Sequence, residues 1–215
     1  MNGLATALLV ATGVLAVGDW VAVARGNRIA EYVLKPATML PLIGAALALD
    51  PPDPTARTWF VVALICSLAG DVFLMLPDEE RFFVPGLGSF LLGHLAYIVG
   101  LIAAGVTGTA IAVGAVVVVT AVVIVAPAVV SGARRTDARL TVPVTAYVAV
   151  ISVMVVCAIG SAVPVAIIGA VLFYLSDLAI GWSSFVDRFP GQRLVIITTY
   201  HAAQVCLVAS LVVAR

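Results

Sequence analysis

Apolar residues fill this chain in eight long blocks, and the polar residues fall mainly in the short gaps between them. The blocks cover residues 3–24, 32–49, 58–76, 84–103, 106–130, 140–157, 163–182 and 193–214. Each is about as long as a helix must be to cross a hydrocarbon core of roughly 30 Å. Breaks between them are marked by Asp50-Pro51-Pro52-Asp53-Pro54, by Pro77-Asp78-Glu79-Glu80-Arg81, by Ser131 to Arg139 and by Phe189-Pro190-Gly191-Gln192. Near Gly105–Gly108 and Gly160–Pro164 no charge marks the turn, so the count of eight depends on those two breaks. The pattern predicts an all-α fold: a polytopic membrane helical bundle of about eight transmembrane helices, forming a single integral membrane domain over residues 1–215.

Composition narrows the choice of solvent. Hydrophobic residues make up 63% of the 215 and charged residues 10%, against about 25% charged in ordinary soluble domains. With so few charges a soluble fold could not cover its apolar surface, and a bilayer is the expected surroundings. The formal net charge is zero and no basic cluster interleaves with aromatics, so nucleic acid is not an expected partner. Cys66, Cys157 and Cys206 all lie in apolar runs and read as small packing residues rather than disulfide or zinc ligands. No basic region precedes Leu4, so the first block reads as a retained span rather than a cleaved signal.

Charge also orients the bundle. Alternate gaps hold Arg25, Arg28, Arg81, Arg134, Arg135, Arg139, Arg188 and Arg193, while the other set and the C-terminus hold only Arg57 and Arg215. By the positive-inside rule both termini lie on the non-cytoplasmic side. The expected location is a bacterial inner (cell) membrane.

Ionisable groups inside a bilayer cost at least about 2.5–3.5 kcal/mol each, turn inward and usually mark function. Asp19, Asp71 and Asp177 each sit shortly before a cytoplasmic helix end, Lys35 just after one and Tyr200 somewhat further in, with His94 and Gln204 deeper. At about 1.5 Å per residue all fall in a band roughly 5–18 Å below the cytoplasmic face. Spacings of three or four residues let His94 and Tyr97, Tyr174 and Asp177, and Tyr200 and Gln204 share helix faces. One polar cavity in the cytoplasmic half of the membrane follows. Gly70, Gly86, Gly88, Gly93 and Gly181 are the small residues expected where helices approach closely. His201 falls on a face neighbouring Tyr200 and is left outside the set, and the Asp78-Glu79-Glu80 run reads as a solvated turn.

Two or three carboxylates sharing a low-dielectric cavity with one lysine cannot all ionise comfortably, so at least one is expected to stay protonated. A carboxylic acid beside a carboxylate is an arrangement for general acid–base catalysis. No Gly-x-Ser-x-Gly elbow and no Cys–His neighbour supports a covalent nucleophile. No His-Glu-x-x-His spacing is present; no metal is assigned and no cofactor implied, although two histidines with aspartates keep zinc open. A proton-coupled membrane transporter would also carry intramembrane Asp, Lys and His. Against that alternative stand the confinement of the polar groups to one half of the bilayer and the few helix-breaking prolines mid-span. A metal-dependent lipid hydrolase of other specificity is the second alternative.

An ordered set of motifs sharpens the reading. Lys35-Pro36, Gly70-Asp71-Val72-Phe73-Leu74-Met75, Phe82-x3-Gly86-x3-Phe90-x3-His94-x2-Tyr97, Ser176-Asp177 and Tyr200-x2-Ala203-Gln204 together resemble the YhhN family of membrane proteins, which includes the animal lysoplasmalogenases. The resemblance spans nearly the whole chain. It implies an eight-helix hydrolase that cleaves the vinyl ether bond of lysoplasmalogens, lysophospholipids embedded in membrane lipid, to a fatty aldehyde and a glycerophospho-ethanolamine or -choline. Carried over by position, Asp71, Asp177 and His94 would be catalytic, and Lys35, Tyr97, Tyr200 and Gln204 would line the substrate site. Asp19 joins the substrate-binding set on its depth more than on the motif.

Overall fold

The computed structural model describes residues 2–213, apart from the side chains of Glu79 and Glu80. Arg215 and those two acidic side chains, which entered the sequence reading, lie outside the described residues.

Eight α-helices follow one another: α1 (Gly3–Ala24), α2 (Arg28–Ala48), α3 (Pro54–Met75), α4 (Glu79–Ala104), α5 (Gly108–Thr136), α6 (Thr141–Gly160), α7 (Pro164–Phe185) and α8 (Gln192–Ser210), with one short 3-10 turn, Ala138–Leu140, before α6. No strand occurs among the described residues. Seven of the eight are long and apolar enough to cross a membrane. The exception is α2, whose apolar length is interrupted by Glu31, Lys35, Pro36 and Pro41; its 21 residues nonetheless reach about 30 Å. Large apolar side chains face outward in a belt, Val10, Val14 and Val17 on α1 and Val116, Val123 and Ile124 on α5 among them. This is the surface of an integral, multi-pass membrane protein, because in water it would be a continuous apolar patch.

The helix starts differ from the apolar blocks for a local reason. A helix is begun by a side chain that accepts from its orphan N–H groups, not by the first apolar residue. Asn27 caps α2 by accepting from the Ala30 N–H, and Asp53, followed by Pro54 at the first helical position, caps α3. Asp78 accepts from the Arg81 N–H, so the Asp78-Glu79-Glu80 stretch opens α4 rather than forming a free turn. Likewise Ser131–Thr136 continues α5 instead of breaking it. Prolines inside helices are also more frequent than the sequence reading allowed: Pro36 and Pro41 in α2, Pro85 in α4 and Pro127 in α5.

Short connections pair the helices as antiparallel hairpins, α1 with α2, α3 with α4, α5 with α6 and α7 with α8. The hairpins join through α2–α3, α4–α6, α6–α7 and α1–α8 contacts, and α5 lies outside, on α6 and α7. Consequently Arg25, Arg28, Arg81, Arg134, Arg135, Arg139, Arg188 and Arg193 gather at one end of the bundle.

The tightest seam joins α3 to α4. Gly86, Gly93 and Gly100, at intervals of seven, all face α3, where an added Cβ would meet Leu74, the Ala63 carbonyl and the Phe60 ring. Gly70 answers from α3, its missing side chain filled by Phe90. Gly181 approaches Val129, but Gly88 faces open space and is not a packing glycine. This seam places Asp71 on α3 and His94 and Tyr97 on α4 within one interior. The three cysteines are free.

Candidate active site

Lys35, in the third turn of α2, reaches across to α3 and pairs with Asp71 at 2.9 Å. The Asp71 side chain is 1% exposed and that of Lys35 15%, so the lysine brings its charge in while its stem stays near the surface. The other Asp71 oxygen accepts a hydrogen bond of 2.6 Å from the Tyr200 hydroxyl of α8. Met39 lies on the same phenol, its sulfur 3.5 Å away. In a low-dielectric interior such a pair is strong only because both oxygens are satisfied; removing one partner would strand a charge.

The second carboxylate has different company. Asp177 on α7 accepts a 2.6 Å bond from the Tyr147 hydroxyl of α6, and His94 Nε2 of α4 lies 3.5 Å from the same oxygen. No lysine or arginine pairs with it among the described residues. Asp71 is within electrostatic reach of Asp177, so the two carboxylates belong to one interior.

Aromatic rings link the two groups. Phe173 of α7 has its ring 4.6 Å from His94, 5.5 Å from Tyr200 and 6.4 Å from Tyr97. Phe90 meets both Phe173 and Tyr200 edge-on. Tyr97, fully buried, donates to the Gln204 side-chain oxygen and is backed edge-on by Phe60 at 5.0 Å. Ser176 donates to the Ile196 carbonyl at 3.0 Å and fixes α7 against α8 beside Asp177.

Asp19 of α1 is fully buried, and neither of its oxygens has a hydrogen-bond partner among the described residues. Lys35, Glu31, Asp71 and Arg193 are the charged groups acting on it. Glu31 is in turn held by Arg193, which ties the start of α2 to the start of α8 at the arginine-rich end. Next to Asp19 in sequence, Trp20 donates from its indole N–H to His201 Nδ1 at 3.1 Å. The imidazole proton therefore lies on Nε2, which is buried without an acceptor among the described residues.

All eight side chains singled out from sequence thus point into the bundle. Lys35, Asp71 and Tyr200 touch one another; His94 and Asp177 are neighbours; Tyr97 and Gln204 are bonded; Asp19 is near but unbonded. Three participants had no signal in the sequence reading. Tyr147 lies in the apolar run of α6 without a polar residue at helical spacing, Phe173 reads as ordinary core, and Trp20 reads as an interfacial aromatic. Asp177 and Tyr147 also line an apolar cleft between α4, α5, α6 and α7, whose walls include Leu87, Phe90, Val125, Val129, Ile151 and Gly181.

Comparison with known proteins finds named relatives. A lysoplasmalogenase of Mycobacterium bovis is 34% identical over 180 residues, covering 80% of this chain and 67% of that protein. Human lysoplasmalogenase TMEM86B is 30% identical over 148 residues, 69% of this chain and 61% of its own length. The mouse protein of that name is 33% identical over 159 residues, 72% and 64% of the two chains. No solved structure matches the chain. Residues 30–211, from the first turn of α2 to the end of α8, match the YhhN family, and with the motif residues gathered in one buried polar interior the chain belongs to that family.

Proposed function

We propose that this protein is a lysoplasmalogenase-like hydrolase that cleaves the vinyl ether of lysoplasmalogens by aspartate general acid–base catalysis. Relatives named lysoplasmalogenase at 30–34% identity support the activity. One observation carries the mechanism: two buried carboxylates in mutual reach have opposite settings. Asp71 is bound to a lysine ammonium and a phenol, which suits it to remain an anion. Among the described residues Asp177 has only a phenol and an imidazole, which suits it to hold a proton.

In this scheme the Asp177 carboxylic acid protonates the vinyl carbon β to the ether oxygen. The double-bond electrons form the new C–H bond, and the ether oxygen shares the resulting positive charge as an oxocarbenium ion. The Asp71 carboxylate stabilises that cation through a medium with little water to screen it. Water then attacks the cationic carbon and returns a proton to Asp177, with His94 orienting the water. The hemiacetal collapses as its hydroxyl proton moves to the glycerol oxygen, releasing fatty aldehyde and glycerophospho-ethanolamine or -choline. Tyr200 and Lys35 position Asp71, while Tyr97 and Gln204 shape the polar side of the site. Asp19 completes the wall behind Lys35. In this reading the arginine-rich end faces the cytoplasm of a bacterial cell, as the positive-inside rule supports, and the site lies in the inner half of the bilayer.

Purified protein incubated with alkenyl, alkyl and acyl lysophospholipids, with products read by mass spectrometry, tests this reading. Aldehyde release from the alkenyl lipid alone is expected. Cleavage of the acyl lipid, or of none, would overturn it.

A further inference from the structure

The apolar cleft has a shape that the polar chemistry alone does not require. Its walls come from α4 (Phe83, Leu87, Phe90), α5 (Val125, Ala126, Val129), α6 and α7, with Leu74 of α3. Yet α4 packs on α3 and α6, and α5 on α6 and α7. Neither α4 and α5 nor α4 and α7 are closely packed. But α4 is bridged to α7 by Phe83 on Phe185, Phe90 on Phe173 and His94 beside Asp177, so among the described residues the α4–α5 seam is the wall with neither close packing nor a side-chain bridge. At the arginine-rich end the cleft is bounded by an aromatic pair and a close helix approach. Phe83 meets Phe185 edge-on at 6.0 Å, and α5 is pinned to α7 there, since a Cβ on Gly132 would fall 2.1 Å from the Phe185 carbonyl oxygen. Toward the bundle interior the cleft reaches Asp177 and Tyr147, the polar groups bonded at 2.6 Å.

We propose that this cleft holds the single hydrocarbon chain of the lipid substrate and admits it sideways from the bilayer through the α4–α5 seam, bringing the bond beside the polar head to Asp177. This rests on the hydrolase reading for the identity of the reacting bond. The chemistry of the walls selects the occupant: apart from the Asp177 carboxyl and the Tyr147 and Tyr174 phenols, every lining side chain is hydrocarbon or glycine. A headgroup with phosphate and ammonium would be stranded in such surroundings. A chain arriving from the lipid phase loses no solvation on entry, because the seam leads from one apolar medium to another.

The test uses a non-cleavable alkyl-ether lysophospholipid with a diazirine in its chain, photolysed with the purified full-length protein in lipid vesicles, with labelled peptides mapped by mass spectrometry. Aldehyde release from an alkenyl lysophospholipid is measured on the same preparation. Label is expected on Val125–Val129 and on Val148–Ile151. Ala126→Trp, which fills the cleft, should lower that labelling and raise KM for a long-chain alkenyl substrate by about tenfold or more. Val148→Trp is the second blocking variant should Ala126→Trp fail to fold. Val123→Trp, on the lipid-facing side of α5 where Val123 is 67% exposed, should leave both unchanged. Label in the cleft without any aldehyde release would uphold the chain site and overturn the vinyl-ether reading. Aldehyde release with label confined to α1, α2 or α8, or labelling insensitive to both tryptophans, would overturn the chain site.

Discussion

Lys35 and Asp71 lie on consecutive helices and meet at 2.9 Å where the Asp71 side chain is 1% exposed. An ion pair so placed contributes little net stability while intact, because both partners were taken out of water, but breaking it is costly. Lys35→Met should therefore destabilise the folded protein by about 3–5 kcal/mol, read from SDS-induced unfolding in mixed micelles. Adding Asp71→Asn to that variant should recover part of the loss, since no lone charge is then left. A double variant as unstable as the sum of the singles would mean the two groups act independently.

The two tyrosines that hold the carboxylates should separate stability from catalysis. Tyr200→Phe and Tyr147→Phe each delete one hydrogen bond to a carboxyl, worth about 1.5–3 kcal/mol if that group is charged and about 0.5–1.5 kcal/mol if neutral. The scheme predicts the larger loss for Tyr200→Phe, whose partner is the lysine-paired Asp71. Equal losses by the same unfolding measurement would contradict the assignment of opposite charge states.

Helix contacts make a contrasting pair of predictions. An added methyl at Gly132 would overlap the Phe185 carbonyl, whereas at Gly88 it would meet nothing within 4 Å. Gly132→Ala should destabilise by about 1–3 kcal/mol, while Gly88→Ala should be neutral or stabilise by up to about 1 kcal/mol through helix propensity. Thermal unfolding in detergent decides both.

Orientation is open to direct chemistry. On a background with Cys66, Cys157 and Cys206 replaced by serine or alanine, Arg139→Cys should react with a membrane-impermeant maleimide only in inside-out vesicles. Asp53→Cys should react only in intact cells. The reverse pattern would invert the bundle.

Much of this was legible in the amino-acid order, for identifiable reasons. A helix that crosses lipid must be apolar along its length, so hydropathy locates all eight helices, and α2 lost length in that reading only because Arg28 and Glu31 precede its apolar part. The ends were less legible, because Asn27, Asp53 and Asp78 start helices by accepting backbone hydrogen bonds, which hydropathy does not register. In the site, Asp71, Lys35 and Asp177 announced themselves by the cost of placing charge in hydrocarbon. Tyr147 did not, since a tyrosine in an apolar helix costs little until a partner from another helix is known. Phe173, the ring between His94 and Tyr200, carries no polar atom at all and is visible only in three dimensions. The division of the polar residues into a lysine-paired half and an imidazole-paired half likewise depends on which helices are neighbours.

The proposed catalysis turns on Asp177 as the proton donor, with Asp71 as the fixed anion. The decisive measurement is aldehyde release from an alkenyl lysophospholipid by folded, purified Asp177→Asn, with the product of the unaltered protein formed in deuterium oxide. Activity should fall by about 10²–10⁴-fold, and the unaltered protein should place one deuterium on the carbon next to the aldehyde. Undiminished release by Asp177→Asn, or an aldehyde with no deuterium at that carbon, would contradict it.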